Sequence, residues 1–196
     1  TAVFTPSANL ASGSASILVP ANAYLDAAGN LGSAGTSPNI SIDTLAPNAA
    51  SVALSGATGD VNHRLNVGDS LSATLTFNDA VTLNTTAGSP SLSLLIGSST
   101  VQATYVSGSG SNALVFTASV ASGLNDPNGV ALGADALSLN GGTLKDAAGN
   151  SSSITSVAVA DNVHYLVDTT RPTASITSSS TALISGQTAT LTFSFS

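Results

Sequence analysis

The sequence contains no cysteine, no methionine and no tryptophan. Without thiols it has no disulfide staple, no thiolate nucleophile and no cysteine metal ligand. Glutamate is absent too: all ten acidic residues are Asp, at 26, 43, 60, 69, 79, 126, 135, 146, 161 and 168. Surface helices draw freely on Glu and Lys, whereas Asp favours turns, caps and metal loops. The omission therefore argues against helices. Cations are scarce as well: Arg64, Lys145 and Arg171 stand alone against those aspartates, for a net charge of -7. That balance excludes a nucleic-acid footprint and offers nothing to an anionic membrane surface. No apolar run reaches the roughly 18 residues of a spanning helix, so no direct membrane insertion is expected.

What is present suits strands and turns. Hydrophobic residues make up 42% of the 196, enough for a core, while charged residues are only 7%, against about 25% in an ordinary soluble protein. Ser, Thr, Asn and Gly must carry solubility, and these residues suit helices poorly.

The chain repeats itself. LDAAGN at 25–30 returns as KDAAGN at 145–150, the linker IDTLAP at 42–47 as VDTTRP at 167–172, and TLTF at 74–77 as TLTF at 190–193. Matching marks lie 116 to 125 residues apart. This order predicts one complete unit over 47–172, preceded by the C-terminal part of a unit (1–46) and followed by the N-terminal part of another (173–196). Both termini read as strand, as expected of a piece of a longer protein. Pro47 and Pro172 stand at the junctions, where a residue with fixed φ and no N–H starts a strand without extending the previous one.

Period-two alternation marks the strands. Leu71, Ala73, Leu75 and Phe77 share one face of 71–77, and Ala189, Leu191, Phe193 and Phe195 share one face of 189–195, the pattern of half-buried antiparallel strands. Further strands are expected at 15–19, 39–42, 50–55, 91–96, 100–106, 112–118, 136–139, 154–159 and 163–167. Gly, Asn, Asp and Pro clusters separate them. Short strands at this spacing predict an all-β antiparallel sandwich.

The ordered set LDAAGN–IDTLAP, LTFNDAVTL (75–83), VQATYVSGSGSNALVFTA (101–118) and LSLNGGTLKDAAGN (137–150)–VDTTRP resembles the tandem bacterial immunoglobulin-like repeats of giant adhesins. Those adhesins are secreted by type I systems, often with repeats-in-toxin C-termini. The flanking VFTPSANLASGSASILV (3–19) and SSTALISGQTATLTFSFS (179–196) resemble a second repeat type of large surface proteins. The resemblance implies an immunoglobulin-like sandwich in an elongated rod. It implies an extracellular or cell-surface location, neighbouring repeats as partners, and calcium stiffening the junctions.

Two oxygen sets suit such an ion, which takes six to eight oxygen ligands. Asp26 and Asn30 lie four apart around a Gly, with Asp43 one strand later at the linker, and Asp146, Asn150 and Asp168 repeat that arrangement. Folding back a strand is expected to bring each loop beside the linker that follows it, with Asp146 and Asp168 sharing one calcium. The competing reading is a D-x-x-G-N turn in which Asp makes an Asx hydrogen bond and Gly-Asn supplies positive φ. Asp79 joins the calcium set through the resemblance alone. It stands where the family commonly has Glu, and its shorter side chain weakens bidentate ligation. NDPNG at 125–129 has a fragment of a calcium-loop pattern but lacks the trailing acid.

His63 and His164, the only histidines, fall short of the three or four ligands of a zinc centre. No nucleophile elbow supports a hydrolase, and no catalytic activity is expected. The leading function is a structural extender. A self-assembling surface-layer or fibre subunit is the second reading, since unpaired strand edges template association. A carbohydrate-binding module is the third, against which stands an aromatic inventory of three Tyr and no Trp.

Overall fold

Residues 3–196 are described by the computed structural model. The alternating segments become strands wherever a partner covers one face. Four short strands come first: β1 (Gly13–Ala15), β2 (Leu18–Val19), β3 (Gly35–Thr36) and β4 (Ile40–Ile42). The central unit opens with β5 (Ala49–Thr58), β6 (Arg64–Leu65), β7 (Ser70–Asn84), β8 (Ser91–Ile96) and β9 (Ser99–Ser107). It continues with β10 (Ser111–Ser119), β11 (Asn125–Asp126), β12 (Ala131–Ser138), β13 (Thr143–Lys145) and β14 (Leu166–Asp168). Then β15 (Ala174–Ser178) and β16 (Leu191–Phe195) pair with each other. No helix forms among the described residues, so none is long and apolar enough to cross a membrane.

Seven strands make the main sheet, in the order β12-β8-β9-β10-β7-β13 with β5 also on β7, every neighbour antiparallel. β7 organises it. Its first half pairs with both β5 and β10, and its second half with β13. Between them the β10 register jumps from Ala113↔Thr76 to Ser111↔Val81, so Asn78, Asp79 and Ala80 bulge out and are exposed. Leu71, Ala73, Leu75 and Phe77 are buried as their alternation predicts, and Val81 and Leu83 continue the same parity beyond the bulge. A smaller sheet, β11-β14-β6, contains the one parallel pairing among the described strands, β14 with β6.

The two edges of the main sheet approach a common segment. Ala49 N–H donates to the Ser153 carbonyl beside β5, while Leu132 of β12 exchanges hydrogen bonds with Val159. The sheet therefore curls around one core, which draws its buried side chains from Val52 through Val167. Phe77, Phe116, Leu75, Leu92, Leu94 and Leu114 lie within it, each contributing about 1.5–3 kcal/mol by leaving water. Residues 154–159, expected as a strand, are not one. They meet neighbours through isolated bridges, Asn48↔Ser153 just before them and Leu132↔Val159 at their end, and between these through Asp135, whose N–H donates to the Ser156 carbonyl and whose Oδ1 accepts from Ser156 N–H, because their partners change along their length. In the last segment alternation is present without burial: Leu191, Phe193 and Phe195 are exposed, β16 having β15 as its sole strand partner among the described residues.

Candidate functional site

Both DAAGN segments fold into one and the same loop. Asp26 Oδ1 accepts from the backbone N–H of Ala28 and of Asn30, each at 2.9 Å, and Oδ2 accepts from Asn30 Nδ2 at 2.8 Å. In the second copy Asp146 Oδ1 accepts from Asn150 N–H and Oδ2 from Asn150 Nδ2, each at 2.8 Å. In both, the Asp N–H returns a bond to the Asn carbonyl at 3.1 Å. The glycine before Asn is required: Gly29 has φ 88° and Gly149 φ 95°, left-handed values that a side chain resists.

The bonds tune the acids. The Asn30 amide, followed by the loop N–H groups, holds Asp26 below its ordinary 3.8. At Asp146 burial is the largest influence and opposes the charge. The Asn150 side chain and the N–H groups of Asn150, Gly149 and Ala148 together outweigh it, and the carboxyl also ends below 3.8. Hydrogen bonds to the charged form explain both directions.

Surroundings separate the two copies. Asp26 is exposed, whereas Asp146 is only 6% exposed. Asn150 Nδ2 also donates to the Asp43 carbonyl at 3.2 Å. Alongside, Ser152 Oγ and Ser153 N–H donate to the Pro47 carbonyl at 3.1 and 2.8 Å, and Asn48 N–H donates to Asn78 Oδ1 at 2.8 Å. The second DAAGN loop therefore grips the linker that precedes its own unit.

The expected grouping is not the one the strands bring together. Asp168 lies at the far end of β5, on β14 beside Asn125 and Arg64, while Asp146 lies by the near end. Ten residues of strand, about 30 Å at roughly 3.3 Å each, separate the two ends. The structure does not bring Asp146 and Asp168 together, because β13 is held on the second half of β7 and β14 on β6. Asp26 and Asn30 make no hydrogen bond to Asp43 among the described residues. Asp79 accepts from Ala80 N–H at 2.6 Å in the β7 bulge and joins none of the other predicted residues.

The linkers themselves repeat a contact. Asp43 Oδ1 accepts from Leu45 N–H at 3.1 Å, and Asp168 Oδ1 from Thr170 N–H at 3.0 Å. The threonine after each Asp bonds back to the segment that precedes the linker. Thr44 Oγ1 donates to the Ser7 carbonyl at 2.7 Å and accepts from Leu10 N–H at 3.0 Å. Thr169 Oγ1 donates to the Leu124 carbonyl at 2.8 Å and accepts from Gly123 N–H at 3.0 Å. Sequence reasoning passed over Thr44 and Thr169, although their recurrence in both D-T pairs was the available signal. NDPNG serves the same joint: Asn125 Oδ1 accepts from Thr169 N–H at 3.0 Å. Asp126, buried at 2% exposure, accepts from Gly97 and Gly129 N–H at 2.8 and 2.9 Å.

No protein-family model, characterised protein or solved structure matches the chain. The chemistry must be read from the residues. Both Asp146 oxygens accept from N–H donors, and Asp168 lies at the opposite end of β5. What the two ends of the central unit do hold is a pair of hydrogen-bonded linker docks.

Proposed function

We propose that the chain is a structural extender segment of a large bacterial cell-surface or secreted adhesin, an elongated row of immunoglobulin-like sandwiches without catalytic activity. The observation that carries this is the repeated dock, in which Thr44 and Thr169 anchor the linker to the preceding unit by matching hydrogen bonds. Asn150 and Ser153 fasten the first linker to the unit that follows. A linker held on both sides restricts swivel, which is what a spacer requires. The proposed setting is extracellular, with neighbouring repeats of the same chain as partners. Calcium is part of the proposal as a further brace at the first joint, where the Asp146 loop meets the Asp43 carbonyl through Asn150. Small-angle scattering of the chain with calcium and with chelator tests both parts. An extended envelope that tightens in calcium is expected. A compact particle refutes the extender, and identical envelopes and melting curves refute the calcium brace.

A second reading, self-assembly into fibres or layers, is favoured by the open β15–β16 pair and its exposed Ile176, Leu191, Phe193 and Phe195. It predicts scattering mass that grows with concentration, where the extender predicts constant mass. Carbohydrate binding finds less support. Tyr105 packs edge-on against Phe116 at 5.9 Å and Tyr165 packs on the core, leaving Tyr24 as the one exposed tyrosine.

A further inference from the structure

The two histidines of the chain, 63 and 164, come together at the end of the central unit opposite the Asn150 latch. His63 sits in a two-residue hairpin turn closed by Val61 N–H to the Arg64 carbonyl and Arg64 N–H to the Val61 carbonyl, both 3.0 Å. Asn62 and His63 have φ of 53° and 61°, the left-handed pair of a type I′ turn. Glycine is the natural second residue there, and a histidine holds that backbone at a steric cost. The His63 carbonyl accepts from Leu166 N–H at 2.9 Å, and His164 N–H donates to Asn162 Oδ1 at 3.1 Å. These bonds fix both backbones. The imidazole centres lie 5.1 Å apart with planes at 76°, and both residues are exposed.

That separation is that of an edge-to-face ring pair, and it is also the one a shared metal ion allows. A metal–nitrogen bond of about 2.0–2.1 Å puts a ring centre about 3.2 Å from the ion, and two rings at a tetrahedral angle then lie about 5.2 Å centre to centre. We propose that His63 and His164 form a two-imidazole site for a borderline divalent transition metal, with Zn2+ as its probe. Imidazole selects such ions, whereas calcium selects oxygen, so this site is chemically separate from any brace at the linkers. No third histidine or carboxylate groups with the pair among the described residues. Asp161 is engaged by the Asn128 amide, and Arg64 extends beside Asn125 and Asp168. Two protein ligands leave the other positions to water or to a carboxylate from another molecule, which makes the bound ion exchangeable.

Calorimetric titration of the whole chain with zinc chloride, in buffer containing calcium, tests the site. One zinc equivalent is expected. His164→Gln and His63→Gly should each weaken binding about tenfold or more, since loss of even an outer-shell partner costs about 10–100-fold. His63→Gly suits the left-handed turn, so its melting temperature should hold or rise while zinc binding falls, separating loss of a ligand from loss of fold. No zinc uptake by the unaltered chain overturns the proposal. So does unchanged affinity in either variant, or displacement of the zinc by calcium.

Discussion

Asn150 reaches across 107 positions of sequence to donate to the Asp43 carbonyl at 3.2 Å while the same amide holds Asp146 at 2.8 Å. Asn30 makes the equivalent bond to Asp26, also at 2.8 Å, and none to a linker among the described residues. Asn150→Ala should therefore destabilise the central unit by about 0.5–1.5 kcal/mol per lost bond and broaden the distance distribution across the first joint. Asn30→Ala removes the within-loop bond alone and should leave that distribution unchanged. Paired spin labels on either side of Pro47 read the difference.

Acid should weaken the same place. The folded carboxyls of Asp26 and Asp146 lie below 3.8. A depressed acid contributes stability above its unfolded value and loses it as pH falls through the folded one. Thermal melts should thus hold steady through neutral pH and decline below about pH 4. Asp146→Asn should flatten that decline. A decline equally steep in Asp146→Asn would show that other carboxylates cause it.

Thr169 satisfies two backbone groups at once, the Leu124 carbonyl and the Gly123 N–H. Thr169→Val keeps the shape and removes both bonds; with Gly123 exposed and Leu124 half-buried, a loss of about 0.5–1.5 kcal/mol per bond is expected. Amide exchange at Gly123 should accelerate while exchange within β7 changes little. Thr169→Ser should retain most of the protection.

Phe116 is fully buried and packs on Tyr105. Phe116→Ala should cost the central unit about 3–5 kcal/mol in urea denaturation. Because the core runs from Val52 to Val167 and the β15–β16 pair is exposed, the same substitution should leave amide exchange within β15–β16 unchanged.

Local chemistry was legible in the sequence where one residue's neighbours decide its role. Alternation from Leu71 to Phe77 foretold four buried side chains, and the competing reading of Asp-x-x-Gly-Asn, an Asx turn with a left-handed glycine, describes the loops that Asp26 and Asp146 make. The expected strand ended at Phe77, where Asn78 and Asp79 break the alternation. They are a bulge, and β7 resumes with the same parity at Val81. Residues 154–159 alternate like a strand but lack a continuous partner, which no local pattern records. The linker partners were misassigned for a related reason. Asp146 looked nearer to Asp168 because it lies closer in sequence, whereas the pairing of Thr143–Lys145 with Thr82–Asn84 carries it to the opposite end, against Asp43.

The central unit is entered at Pro47 and left at Thr169, at opposite ends of β5, and this sets how it bears tension. A pull along the chain drags β5 lengthwise past β7, so the ladder from Ala49↔Phe77 to Thr58↔Ser70 is sheared as a whole. At the exit β14 lies parallel to β6, and it too is drawn along its partner rather than peeled from it. Bonds loaded side by side must fail together, whereas bonds at an opening fork fail one after another. The unit is joined like overlapping planks glued face to face, strong in the direction in which an anchored chain would be stretched.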